Sequence, residues 1–483
     1  MSEPSKREGA VMVDETDVVV LGLGTSGEDL ALRLLDAGLE VVGIEPQLVG
    51  GECPYWACIP SKVMIRAAKL LQEARRVEGV AGHVEVTPDW APVAARIRAE
   101  VTGDWDDSFA VARFEGKGGR FVRGYGRLTG PRTVTVGEQS FTARRGVVIA
   151  TGSKPAIPPI PGLADIDYWV THDAIQVEKL PESLIVLGGG AVGCELGQVF
   201  SRFGVEVTIV EGLDRLLAAE EPEASELLTA AFGAEGISVR TGAAIERVET
   251  RGGSVIATLA GGTEVGAERL LVATGRTVDL SGLGLEAAGL DGSGRFLAVD
   301  EHLRAADGIW AMGDVTGRGM FTHMALYEGS IVAAGILGEN PPPADFGSLP
   351  RVTFTDPEIG AVGLSEAAAR AAGLDVAVTV KQVPATARGW IHGPGNDGLY
   401  KLVADRKTGL LVGATSAGPH GGEVLGMLST VIQAKVPIFD LQHMIYAYPT
   451  FYGGVSEAIG AYGRGIGQVF DPGYAFDGFD FDS

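Results

Sequence analysis

Cysteine is scarce in this chain, three residues in 483. So few cannot build a disulfide framework, and a close pair in a reducing compartment points to catalysis or metal binding instead. A metal would need further ligands, and neither a histidine nor the third cysteine lies near Cys53 and Cys58, so no metal site is expected. Basic residues are also in the minority, 39 Lys and Arg against 62 Asp and Glu, for a formal net charge of −23. No stretch clusters Lys and Arg as a phosphate-tracking surface requires, which argues against nucleic acid as a partner. Long apolar runs are missing too, each being broken by Gly, Pro or a charge before about 18 residues. No short apolar segment with basic flanks opens the chain. The expectation is a cytoplasmic protein with no export signal and no membrane span, large enough for two to four domains.

Glycine is abundant, 71 residues, so an isolated glycine motif carries little weight and the order of elements around it must decide. Asp17–Leu21 reads as a buried strand. Gly22-Leu23-Gly24-Thr25-Ser26-Gly27 follows, then an apolar helical period through Leu30, Leu34 and Leu35 that Gly38 ends. A second strand, Glu40–Ile44, delivers Glu45 about 20 residues after the glycines, where a carboxylate can accept from a ribose hydroxyl. The glycines allow the backbone to approach a pyrophosphate at the helix N-terminus, where free N–H groups and the dipole bind anions. The same unit recurs as Ser183–Leu187, Gly188-Gly189-Gly190-Ala191-Val192-Gly193, a helix through Phe203, and the strand Glu206–Val210 ending in Glu211. Two such units mean two dinucleotides. Met1–Glu15 is polar and patternless and is expected to fray.

Between the first unit and the rest lies Gly51-Glu52-Cys53-Pro54-Tyr55-Trp56-Ala57-Cys58-Ile59-Pro60-Ser61-Lys62, with two of the three cysteines. At about 1.5 Å of rise per residue, an i, i+5 pair in an unbroken helix stands about 7.5 Å apart along the axis, too far for an unstrained disulfide. The two can bridge only across a distorted first turn. Pro54 is tolerated where a helix begins, and Val63–Leu71 looks helical. Both sulfurs are therefore expected at a helix N-terminus, where the dipole favours thiolate. Two buried structural cysteines that happen to be close are the other reading of the same residues.

Gly50–Lys62 resembles, at every fixed position, the Gly-Gly-x-Cys-x-x-x-x-Cys-x-Pro-Ser-Lys motif of the flavoprotein disulfide reductases, the family of dihydrolipoamide dehydrogenase, glutathione reductase and mercuric reductase. The resemblance extends over nearly the whole chain. Ile149-Ala150-Thr151-Gly152-Ser153 and Val272-Ala273-Thr274-Gly275-Arg276 are similar to the family's strand ends where the chain crosses between domains. Ile309–Val315 resembles its second FAD motif, with Asp314 in the place of the flavin-binding Asp. Arg351–Gly363 resembles the opening of its C-terminal interface domain, for which Leu399–Val403 and Leu410–Ala414 supply alternating strands and Gly421–Lys435 a helix. The implied fold is α/β, with two Rossmann-like dinucleotide-binding domains and an α+β C-terminal dimerisation domain. Its boundaries fall at 1–155 (FAD), 156–275 (nicotinamide), 276–343 (FAD again), 344–466 (interface) and 467–483 (tail).

The resemblance implies a homodimeric enzyme that uses FAD and NAD(P)H. Gly22, Gly24, Gly27, Glu45, Lys62 and Asp314 would serve FAD; Gly188, Gly190, Gly193 and Glu211 would serve the nicotinamide cofactor; Gly51, Thr151, Gly152 and Gly275 are further cofactor-binding positions. Cys58 would face the flavin and Cys53 would attack substrate, while Lys62 beside the flavin would pair with Glu195. Cys194 reads as a core residue. Glu211 would accept from both ribose hydroxyls and repel a 2′-phosphate, favouring NADH over NADPH, with Arg215 near enough in sequence to moderate this. One departure stands out. The family's reductases carry His-Pro-Thr near the C-terminus with a Glu a few residues on, and this chain reads Tyr448-Pro449-Thr450 with Gly453 at the acid's position and Glu457 beyond it. A phenol with an ordinary pKa near 10 can donate a proton but cannot form a thiolate–imidazolium pair. His443 and His323 are the other bases nearest in sequence. The leading expectation is reduction of a small disulfide; reduction of a metal ion, quinone or oxygen, and a catalytically weak redox sensor, are the alternatives.

Overall fold

The computed structural model describes residues 13–465. Its described residues divide into two compact units, 13–60 with 95–156 and 276–344, and 61–94 with 157–275 and 345–465.

In the first unit a parallel sheet runs Ile309–Ala311, Gln139–Ile149, Val13–Leu21, Val41–Glu45, Arg120–Arg123, with Arg304–Ala306 antiparallel at one edge. Successive residues of a strand point to opposite faces. Val18 and Val20 accordingly pack with Leu30 and Leu34 of the helix Thr25–Asp36 and Ile331 and Val332 of Thr322–Leu337. Val19 and Leu21 pack on the other face with Val134, Phe141 and Leu283. A strand buried on both faces reads as an unbroken apolar run, as Asp17–Leu21 does. The expectation for Met1–Glu15 is corrected at its end. Val13, Asp14 and Glu15 already pair with Ser140, Phe141 and Thr142, a long-range register that polar side chains do not advertise.

In the second unit the repeat of the same design is a four-stranded parallel sheet, Ser238–Arg240, Glu206–Val210, Ser183–Leu187, Arg269–Val272, with the helix Ala191–Arg202 following the central strand. A five-stranded antiparallel sheet runs Pro350–Thr353, Glu358–Gly363, Leu410–Gly418, Leu399–Asp405, Val376–Gln382. The alternation read for Leu399–Val403 is corrected: all of Leu399–Asp405 is buried. Tyr400 and Leu402 pack with Leu425 and Leu428 of the helix Gly421–Gln433, whereas Val403 packs with Ala369 and Val376. Lys401, inside this strand, is ringed by Glu221 (2.9 Å), Glu223 (2.7 Å) and Glu366 (3.0 Å). Those three carboxylates offset the cost of burying its ammonium. No helix among the described residues is long and apolar enough to cross a membrane.

Candidate active site

The two glycine loops are built alike. A Cβ on Gly27 would stand 2.1 Å from the Gly22 carbonyl oxygen, and one on Gly193 would stand 2.0 Å from that of Gly188. Each helix therefore enters pressed against its own loop, and only glycine allows that approach. The middle glycines differ. Around Gly24 and Gly190 a Cβ would meet nothing within 4 Å, and neither helix that follows has its N-terminal amides capped by a side chain. Each loop thus presents open backbone and free N–H groups where a diphosphate can lie. At the ends of the second strands, Glu45 accepts from the amides of Leu23 (2.9 Å) and Gln47 (2.8 Å), and Glu211 from those of Gly189 (2.6 Å) and Leu213 (2.8 Å). Burial holds the Glu45 carboxyl above its ordinary range, against those two amides and Arg123.

The redox stretch is attached to the first loop. Gly50 donates to the Leu23 carbonyl (2.7 Å), and Thr25 Oγ1 donates to the Gly50 carbonyl (2.9 Å). The chain then makes one short helix, Glu52–Tyr55, breaks at Trp56 and Ala57, and starts the long helix Cys58–Arg75. Only Cys58 stands at the N-terminus of the long helix. Cys53 sits in the separate turn before it, which corrects the expectation that both would share one helix start. The break brings together two residues that an unbroken helix would hold apart. The Cys58 sulfur lies 3.5 Å from Thr322 Oγ1. The Cys53 thiol is pushed up, first by the hydrogen bond it shares with Cys58 and then by burial, while hydroxyls of Thr322 and Thr25 oppose this. Cys194 is fully buried and its thiol is likewise held up by burial.

One turn beyond Cys58 on the same helix is Lys62. Its ammonium donates to Glu195 Oε2 at 2.8 Å and lies over the Phe354 ring, 4.7 Å from the centroid. Glu195 Oε1 accepts from the Phe354 amide at 2.8 Å. Both carboxylate oxygens of this buried acid are thus engaged, and the lysine is aimed rather than left to solvent.

Asp314 accepts from Ser153 Oγ (2.5 Å), Ser153 accepts from Arg276 (2.6 Å), and Arg276 reaches Glu52 at 3.3 Å. This chain of contacts ties the Asp314 turn, the two crossing segments and the first residue of the redox turn together. Thr151 and Gly275 are exposed beside it, and Gly152 is half-buried. Glu328 is fully buried and accepts from the amide of Gly313, next to Asp314. Burial pushes its carboxyl up to about 7. Sequence reasoning assigned no role to Ser153, Arg276, Thr322 or Glu328. Arg276 carried a signal, standing beside Thr274-Gly275 after a strand, whereas Glu328 is one polar residue on an otherwise apolar helix.

Tyr448 lies in the loop before the helix Phe451–Gly465 and is 55% exposed. Thr450 Oγ1 accepts from the Gly453 amide (3.0 Å), so the residue at the acid's place serves helix entry. Glu457 pairs with Lys381 at 3.1 Å. His443 is hydrogen-bonded through Nδ1 to the Phe439 carbonyl oxygen at 2.7 Å. His323 stands beside Thr322, its ring 5.3 Å from that of Phe321.

Residues 16–329 match the family model of the pyridine nucleotide-disulphide oxidoreductases, and residues 349–459 match that family's dimerisation domain. The chain belongs to this family. It is 34% identical over 458 residues to a dihydrolipoyl dehydrogenase of Thermus scotoductus, covering 92% of this chain and 96% of the relative. It is 32% identical over 459 residues to a mercuric reductase of Bacillus cereus, covering 94% and 72%. Among solved structures, the HOCl-induced flavoprotein disulfide reductase RclA of Escherichia coli superposes with a TM-score of 0.81 at 26% identity, covering 92% of this chain and 99% of that one. Members of the pyridine nucleotide-disulphide oxidoreductase family are flavoprotein disulfide oxidoreductases that use FAD and NAD(P)H. The residues present fit both groups. Each glycine loop leaves its middle position open beside uncapped helix amides, and each has a carboxylate fixed at the adjacent strand end.

Proposed function

We propose that this chain is a homodimeric, NADH-preferring reductase of small disulfides, with Cys53 and Cys58 as its redox pair and Tyr448 in the place of an imidazole. The observation that carries this reading is the broken helix start that joins Cys53, Cys58 and Thr322, with Lys62 fixed by Glu195 one turn on. FAD, held by Gly22, Gly24, Gly27, Glu45, Gly51, Thr151, Gly152 and Asp314, supplies two-electron transfer between a nicotinamide and a dithiol. Lys62 stabilises negative charge developing near it, and Glu195 compensates the buried ammonium. Cys53, giving up its proton, attacks one sulfur of the substrate, and the first thiol leaves with a proton. Cys58 then attacks the Cys53 sulfur and expels the second, restoring the Cys53–Cys58 bond. The balance is NADH, a proton and a disulfide giving NAD⁺ and two thiols. Gly188, Gly190, Gly193 and Gly275 line the nicotinamide cofactor's place. Glu211 underlies the preference for NADH, and Arg215 does not temper it: its guanidinium is turned to the carbonyls of Ala218 (2.7 Å) and Glu220 (3.3 Å).

With a phenol as the only proton donor at position 448, departure of a basic thiolate is poorly assisted. Disulfides of acidic thiols should then be reduced faster than alkyl ones, by roughly threefold per unit of leaving-group pKa for a Brønsted slope of about 0.5. The test is kcat/KM for symmetric disulfides of graded acidity in wild type and Tyr448→Phe. Steeper dependence in the variant supports the reading; oxidised lipoamide reduced as fast as aryl disulfides overturns the role given to Tyr448. Reduction of a metal ion is the second reading, favoured by the copper(II) complex in which the Escherichia coli relative has been solved. In that case the Cys53–Cys58 dithiol would receive the ion.

A further inference from the structure

We infer that Trp56 and Trp105 form a stacking site for a flat aromatic group beside the redox pair, an inference that rests on Cys53 and Cys58 being the reacting thiols. Trp56 stands in the break between the two cysteines, three residues after Cys53 and two before Cys58. Its ring is stacked on that of Trp105, with centroids 5.4 Å apart and planes inclined by 20°. Trp105 Nε1 donates to the Tyr55 carbonyl at 3.3 Å, which locks the second indole to the redox turn.

The chain goes out of its way to put Trp105 there. Ile97–Val101 is a π-helical turn, a rare form that is frequently found at functional sites. It is followed by three successive left-handed residues, Gly103 (φ 57°), Asp104 (φ 59°) and Trp105 (φ 57°). Side-chain-bearing residues avoid that region, and where they hold it the surrounding structure imposes it. Both indoles nevertheless remain only partly buried, whereas the neighbouring Tyr55 is buried, at 8% exposure. A stack made only for stability would be expected inside the core. A strained segment that stacks two large aromatic rings on the turn between the two cysteines instead offers a ligand rigid, flat, apolar surface.

The acceptor chemistry this surface selects is a planar ring that takes two electrons. An aryl disulfide qualifies: Cys53 forms a bond to one sulfur, an arenethiolate leaves, and Cys58 completes the exchange. A quinone also qualifies, taking two electrons and two protons to become a hydroquinone while the dithiol becomes a disulfide. NADH supplies the electrons in both cases.

The test compares dithiobis(nitrobenzoate), menadione and the alkyl disulfide cystamine as acceptors in wild type, Trp56→Ala, Trp105→Ala and Trp105→Phe holoenzymes. The ratio of kcat/KM for an aromatic acceptor to that for cystamine should fall roughly 3- to 10-fold in both alanine variants, the size of one aromatic contact, and recover in Trp105→Phe. A fall confined to dithiobis(nitrobenzoate) or to menadione identifies which source of the ring the site serves. An unchanged ratio, or equal losses with all three acceptors, overturns the inference. Binding is read separately through quenching of tryptophan fluorescence by the thioether analogue of dithiobis(nitrobenzoate), which cannot be reduced. Quenching that is lost in Trp56→Ala supports the stacking site even if Cys53→Ser keeps full turnover and the dithiol reading fails. Absence of quenching in wild type overturns it.

Discussion

The two glycine loops share their backbone geometry and differ in what surrounds them. In the first, Thr25 and Gly50 are bonded to each other, the strand-end Glu45 is buried, and the redox turn begins directly against the loop. In the second, Gly190, Ala191 and Val192 at the helix entry are exposed, and Glu211 is only half-buried. One design has been closed over and the other left open. On the proposed reading the closed loop suits a cofactor that stays and the open one a cofactor that comes and goes, and the difference lies outside the motif that both share.

The strongest way to break this contrast is at the closure. A Cβ on Gly51 would stand 2.7 Å from the Gly24 Cα, at a residue whose φ is 69°, so neither backbone can relax cheaply. Gly51→Ala should be purified with most of its flavin absorbance lost. Gly190→Ala, with nothing within 4 Å of the new Cβ, should keep its flavin and raise only the KM for NADH. Equal flavin content in the two variants would show that the loops are not differently enclosed.

Next in size is a pH effect confined to the first unit. Glu328 has its folded-state pKa raised from 4.5 to about 7, so the native state holds this proton more tightly than the unfolded chain does. The stabilising proton is fully present below about pH 4.5 and is lost as pH rises through about 7, at a cost on the order of 3 kcal/mol. Glu328→Gln should therefore flatten the decline in Tm across that window. The groups facing Glu328 are Arg318, which opposes the shift, and Asp314, which adds to it. A variant as pH-sensitive as wild type would assign the decline to other groups.

Glu211 gives a smaller effect. On the proposed reading, Glu211→Ala would remove acceptors for two ribose hydroxyls and the repulsion against a 2′-phosphate, so an NADH-to-NADPH preference in kcat/KM should fall by about 10-fold. An unchanged preference would remove Glu211 from the nicotinamide site.

The comparison also marks where the sequence could be read. Strand, glycines, helix, strand and acid follow one another within about 30 residues in each unit, so period and spacing expose them both. The closure of the first loop depends on Gly50 and Thr25 meeting, and the alignment of Asp314 on Ser153, Arg276 and Glu328, residues brought together from distant parts of the chain. No local pattern encodes those meetings. Lys401 misled for the same reason: a lysine inside an apolar strand suggests an exposed face, until three carboxylates from elsewhere surround it. Trp105 was illegible because nothing in Gly103-Asp104-Trp105 announces three left-handed residues.

The central claim is that Cys53 and Cys58 exchange electrons with the bound cofactors, and anaerobic titration of the holoenzyme with dithionite tests it most directly. Wild type should take up about two two-electron equivalents per flavin, and Cys53→Ser and Cys58→Ser about one each, while NADH still bleaches the flavin of both variants. Variants that take up as much as wild type would contradict the account, because the second store of electrons would then lie elsewhere than in this pair.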